Sequence, residues 1–182
     1  MRFAPLALGI GLLAACHEPA AGPAASVIVD SLYRVRQPFQ ANGAPTATEL
    51  ASMSPWLSAE LRTLLARADS LRSAESTAAP DEKPSFVEGD LFSSLFEGPT
   101  AYSIKAAEVD STTLPGTWRV PVHFTFVDRT TAQKWTDTAL VVMEDGRPVV
   151  SDVRYGGEWD FANKGSLLTS LTFSFLPGPA AR

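Results

Sequence analysis

From Trp118 to Phe126 the chain alternates without interruption. Trp118, Val120, Val122, Phe124 and Phe126 fall on one side, with Arg119, Pro121, His123 and Thr125 between them. A period of two belongs to an extended strand with one buried face. Such a strand needs paired neighbours and a cover over its apolar side. Trp135 to Met143 predicts the next strand, and Glu144-Asp145-Gly146 ends it. Asp-Gly between two β-rich runs signals a tight hairpin. Pro148 to Tyr155 is then the return strand, broken by Gly156-Gly157. Upstream, Tyr102, Ile104 and Ala106 alternate before a turn at Leu114 to Thr117. Connections this short cannot carry crossovers, so the sheet is antiparallel, with about four strands. Pro121 places its strand at an edge or at a bulge.

The period before Ala101 is helical. Ser26 to Phe39 carries Val27, Ile28, Leu32 and Val35 as an apolar stripe. A second helical region starts at Thr48 or Ser54, with Ser54-Pro55 read as a cap followed by proline in the first turn. Its stripe is Trp56, Leu57, Leu61, Leu64, Leu65, Ala68 and Leu71. Arg62, Arg67 and Arg72 read as its solvated face rather than a recognition stripe, because Glu60 and Asp69 dilute the charge. Residues 73–84 read as a polar linker. Asp90 reads as the cap of a short helical turn with Leu91, Phe92, Leu95 and Phe96 inward, stopped by Gly98-Pro99. Ser166 to Phe175 is a last amphipathic helix. Helices on one side of a curved antiparallel sheet make an α+β fold, closed by a short C-terminal helix.

The first fifteen residues stand apart. After Arg2, Phe3 to Ala15 is uncharged. It is shorter than the ~20 residues a spanning helix needs and fits a secretory signal core. It ends Leu13-Ala14-Ala15-Cys16, the pattern of a bacterial lipobox, and Cys16 is the chain's one cysteine. The expected division is 1–15 signal peptide, 16–25 lipidated tether, 26–176 one α+β domain and 177–182 tail. Acyl chains on Cys16 would anchor the chain in a membrane. His17, where an aspartate would favour inner-membrane retention, points to the outer membrane facing the periplasm if the host has two membranes.

A chain of 182 residues at 45% hydrophobic and 19% charged suits one globular domain. One cysteine excludes an internal disulfide framework, and two histidines leave too few ligands for the usual zinc sites. A net charge of −5 argues against nucleic acid as a partner.

The order Trp135-x-Asp137, Val141-Val142, Glu144-Asp145-Gly146, Val149-Val150-x-Asp152-Val153-x-Tyr155 resembles the closing strands of the cystatin-like cone in the nuclear-transport-factor-2 superfamily. Ser54-Pro55-x-Leu57, Leu61, Leu64-Leu65 and the block Gly89-Asp90, Phe92, Glu97-Gly98-Pro99-Thr100 are similar to bacterial lipoproteins of the domain-of-unknown-function family numbered 3828. The likeness spans Val27 to Leu176. It implies a fold and an envelope address, and no reaction.

Enzymes with that cone hold an Asp, His or Tyr in the cavity as acid, base or donor. His123 would line the cavity in one strand register and face solvent in the other. Asp137 and Asp152 lie on neighbouring strands, either as an acid–base couple or as sheet charges paired with Arg119 or Arg154. Asp90 and Glu97 would bind a cation or polar ligand, or anchor the loop about Gly89 and Gly98. With Asp152 they would make a carboxylate-only site suited to calcium or magnesium, although no spacing demands one. Tyr33, Trp56, Trp135, Tyr155 and Trp159 would line a pocket or fill the core. No nucleotide, nucleophile-elbow or EF-hand motif is present, and no cofactor is expected. The expected role is therefore a non-catalytic domain binding a small ligand or an envelope protein. Asp90, Glu97, His123, Trp135, Asp137, Asp152 and Tyr155 are the candidate contacts. The alternative is a cavity enzyme using an Asp with His123 or Tyr155. An open sheet face would also permit a homodimer.

Overall fold

The computed structural model describes residues 21–111, 114–129 and 131–175. The expected signal peptide, Cys16 and the tail from residue 177 lie outside the described residues.

Helix α1 spans Ala21–Arg36, α2 Ala47–Met53, α3 Ala59–Ala78 and α4 Leu167–Phe173. The strands are β1 Ala101–Ile104, β2 Glu108–Asp110, β3 Thr117–Asp128, β4 Thr131–Glu144 and β5 Arg147–Arg154. All pairings are antiparallel, in the order β1-β3-β4-β5, with β2 following β1 along the same side of β3. The fold is α+β, with the helices on one face of the sheet. Helix α1 touches β1, β3 and β5, while α3 and α4 pack on each other and on β5.

Alternation set the register as expected. Val120, Val122 and Phe124 of β3 and Trp135, Ala139 and Val141 of β4 are buried beneath the helices. They meet Val29, Leu32 and Tyr33 of α1 and Leu61 and Leu65 of α3 in one core. Asp145 and Gly146 both take positive φ in a two-residue hairpin between Glu144 and Arg147, the primed turn whose twist matches the strands. Pro121 lies on an inner strand rather than an edge, at the point where the neighbouring strand is interrupted. Its β4-side neighbour is Thr138, and on the other side β1 stops opposite Val122 while β2 resumes opposite Arg119. The missing N–H falls in that gap, where Lys105 N–H still donates to the Pro121 carbonyl at 3.0 Å.

Four local expectations need correction. Helix α1 includes residues 21–25, which were read as tether. Pro23 falls in its first turn, where no intrahelical N–H is needed. Ser54-Pro55 forms a single 3₁₀ turn instead of starting the long helix. The caps are Thr46, in a full capping box with Glu49 on α2, and Ser58 on α3. Residues 73–78 are helix, not linker. The hydroxyls of Ser73, Ser76 and Thr77 donate to carbonyls four residues back, so these polar groups find partners within the helix itself. Arg62 and Arg72 are not free on a solvated face. Arg62 donates to the carbonyls of Ser54 and Leu57, and Arg72 to that of Ala44.

The edge of β5 is covered. Ser58 N–H donates to the Val150 carbonyl at 2.9 Å, and Tyr155 N–H to that of Gly165 at 3.0 Å. The sheet's outer face carries no helix, and His123 and Thr136 are exposed on it.

Candidate functional site

Residues 89–98 form no helical turn; they are irregular backbone, and most of them are buried. Burying such a segment demands a partner for every carbonyl, since no regular ladder supplies one. Each partner here comes from a different part of the chain. Asn163 Nδ2–H donates to the carbonyls of Asp90 (3.0 Å) and Ser93 (2.8 Å). Tyr155 Oη–H donates to Leu91 (2.6 Å) and Tyr33 Oη–H to Phe92 (2.8 Å). Asn163 N–H donates to Ser94 at 2.8 Å. Five successive carbonyls are thus satisfied by the end of α1 and the segment after β5.

Two carboxylates hold the ends of this segment. Asp90, 1% exposed, pairs its Oδ1 with Arg36 Nη2 at 2.5 Å and accepts the Phe92 N–H at 2.7 Å. The Arg36 guanidinium lies over the Phe92 ring, 4.4 Å from its centroid. Asp90 therefore acts as a turn anchor for its own segment rather than as a helix cap. Asp137, at 0% exposure, accepts four hydrogen bonds. Oδ2 takes the Ser94 N–H (2.8 Å) and the Trp135 indole N–H (3.1 Å). Oδ1 takes the Gly156 N–H (2.8 Å) and the Ser94 hydroxyl. Ser94 Oγ in turn accepts the N–H groups of Gly156 (3.1 Å) and Gly157 (2.9 Å). Burial raises the Asp137 pKa above the ordinary carboxylate value, and the bonds from Ser94, Gly156 and Trp135 pull the other way. Burial likewise raises the Tyr155 phenol, with the Asp90 charge adding to it.

The aromatic candidates fill the core beside this lock. Trp135 stacks between Phe124 (5.3 Å) and Trp159 (5.6 Å), and Tyr33 meets Phe124 at 5.3 Å. The remaining candidates lie elsewhere. Asp152 Oδ1 accepts the Leu168 N–H at 2.8 Å, beside Ser166, the cap of α4. It is on the strand next to Asp137 but serves a different element. Glu97 is exposed, as is Phe96, which was expected inward. Among the described residues no group of three or more His, Cys, Asp or Glu is placed to hold a metal ion.

His123 faces the other way. It lines an open groove of about 440 Å³ with Ser103, Thr125, Lys134 and Thr136. Residues from three strands line this groove and none from a helix, so it lies on the outer face. Trp135 reaches it only from beneath, since its ring is packed in the core. His123 thus lies across the sheet from the buried Asp137, and no carboxylate lines its groove.

Sequence reasoning brought Asp90, Trp135, Asp137 and Tyr155 to notice but missed Arg36, Ser94, Asn163 and the Gly156-Gly157 amides. The legible signal was Ser93-Ser94 inside an apolar run together with paired glycines read only as a strand break. A Cβ at Gly156 would stand 2.0 Å from the Thr136 carbonyl oxygen, and one at Gly157 would stand 2.7 Å from Ser94 Cβ. Close backbone approach is what those glycines allow.

No family model, curated protein or solved structure matches this chain.

Proposed function

We propose that this chain is a membrane-anchored envelope lipoprotein whose α+β domain binds a small ligand or an envelope protein without catalysis. The anchor reading rests on Leu13-Ala14-Ala15-Cys16 following an uncharged run. In a host with two membranes, His17 in place of an aspartate favours the outer one. The lipobox, and a motif order that resembles lipoproteins of the domain-of-unknown-function family numbered 3828, support the same address.

One observation carries the non-catalytic half. Asp90, Asp137 and Tyr155 are all spent on holding residues 90–94. A general acid or base must reach the proton it moves. Asp137 is closed off by four donors, and the Tyr155 hydroxyl is committed to the Leu91 carbonyl. Neither shares a face with His123.

Expression of the full chain in a Gram-negative bacterium tests the reading. The expected product fractionates with membranes, begins at Cys16 and carries the mass of a diacylglyceryl group with or without an added acyl chain. Cys16→Ala is expected to leave the chain unlipidated. An unmodified Cys16 in the soluble fraction would sink the proposal.

A further inference from the structure

The outer groove has a donor set with nothing to receive it. Ser103, His123 and Thr136 form one cross-strand row, and Thr125 and Lys134 pair in the next. All five line the groove. Among the described residues none of their side chains makes a hydrogen bond or ion pair. Lysine brings three donors and a positive charge, each hydroxyl brings one, and imidazole brings at least one in either protonation state. Pro121, Thr138 and Arg154 form the following row, which adds a second cation to the same face, outside the groove lining.

The charge is local and runs against the chain. The protein has 20 acidic residues against 15 Lys and Arg, yet no carboxylate lines the groove. Two strand acids, Glu108 and Asp152, share the row of Arg119, four residues along β3 from His123; Glu108 lies directly opposite Arg119, and Asp152 accepts the Leu168 N–H. A positive, donor-rich hollow on a negative protein selects for an anion with several acceptor oxygens. A floor of Ala101, Ser103, Thr125 and Thr136 is low enough for such a group to settle between His123 and Lys134.

The geometry points to a phosphate-type oxyanion bound in this groove, contacted by Lys134, His123 and the Ser103 and Thr136 hydroxyls. This inference rests on the proposed binding role and names its site and ligand chemistry. The oxyanion is either a free phosphate group or the headgroup of an anionic phospholipid on the membrane that carries the anchor.

Backbone amide NMR of the full chain in lipid nanodiscs separates these sources. In phosphatidylcholine discs, inorganic phosphate is titrated at constant ionic strength. In a second arm, phosphatidylglycerol replaces part of the phosphatidylcholine and no phosphate is added. Saturable shifts at Ser103, His123, Lys134 and Thr136 in the first arm establish a free oxyanion site. The same shifts in the second arm alone establish a headgroup site. Lys134→Gln, an exposed change that leaves the core spectrum intact, is expected to weaken either response about fivefold, the size of one exposed charge pair. Shifts scattered over surface lysines and arginines, no shift in either arm, or an unchanged response in Lys134→Gln would overturn the site. Native mass spectrometry keeps the two readings apart. A bound mass without groove shifts would refute this site and leave the binding role standing.

Discussion

Replacing Asp137 by alanine should be among the most damaging single changes in the domain. The carboxylate accepts four donors, and the cost follows from what each donor has left. Gly156 N–H retains Ser94 Oγ at 3.1 Å, and the Ser94 hydroxyl can turn. Ser94 N–H and the Trp135 indole N–H have no second acceptor among the described residues. A buried donor left unsatisfied costs about 1–3 kcal/mol, so two cost about 4 kcal/mol. Against a typical domain stability of roughly 5–15 kcal/mol, that is a large fraction. Asp137→Asn should cost less, about 1–2 kcal/mol. With its amide oxygen at the Oδ2 position it keeps Ser94 N–H and Trp135, while its NH₂ faces the Ser94 hydroxyl, which can turn to accept, and displaces the Gly156 N–H, which retains Ser94 Oγ at 3.1 Å. Urea unfolding followed by tryptophan fluorescence reads both. Taking m as about 2 kcal/mol/M, the alanine variant should lose roughly 2 M in midpoint with m unchanged. A loss under about 1 kcal/mol for alanine would refute the claim that these donors depend on Asp137. Equal losses for the two variants would refute the assignment of donors to oxygens.

Arg36→Met should destabilise by about 3–5 kcal/mol, because it leaves a buried carboxylate unpaired. Asp90 would keep only the Phe92 N–H, since its Oδ2 has no hydrogen-bond partner among the described residues. A double-mutant cycle with Asp90→Leu should show the second change recovering part of the loss, and strict additivity would contradict the pairing. Gly156→Ala should cost more than about 2 kcal/mol, since its Cβ would meet the Thr136 carbonyl oxygen at 2.0 Å; a neutral thermal melt would contradict the close approach. The pH dependence has a definite sign. Because the folded pKa of Asp137 is raised above its ordinary 3.8, the folded chain holds that proton more tightly than the unfolded chain. The resulting stability is present below 3.8 and is lost as pH rises through the folded value. The wild-type minus Asp137→Asn difference should therefore fall with rising pH in that window, and a rise would contradict the direction.

The sheet was legible because period two, an Asp-Gly turn and short connections leave few alternatives. Trp118 to Phe126 separated the two faces of β3, and the packing of the helices on Val120, Val122 and Phe124 decides which one is buried. The Ser-rich end of α3 was not legible. Its hydroxyls satisfy themselves on the helix, and that choice depends on Leu61, Leu65 and Ala68 holding α3 against the core. The lock was half legible. Asp137 stood out as an acid on an otherwise apolar strand, and the Gly89–Thr100 block as a distinctive run. That both meet at Ser94 depends on pairings across 43 and 62 residues, which local pattern cannot carry. His123 was read with two possible facings, and the Val120/Val122/Phe124 register decides for the outer one.

The central claim is that the acids of this domain fasten residues 90–94 rather than serve a reaction. Amide hydrogen exchange at Ser94 and Gly156, the two backbone donors to Asp137, tests it most directly. The account predicts that both exchange only through global unfolding. It also predicts that Asp137→Ala speeds them selectively, while β3 and β4 amides exchange no faster than the variant's lower global stability requires. Rapid exchange at Ser94 and Gly156 in the wild-type chain would contradict it.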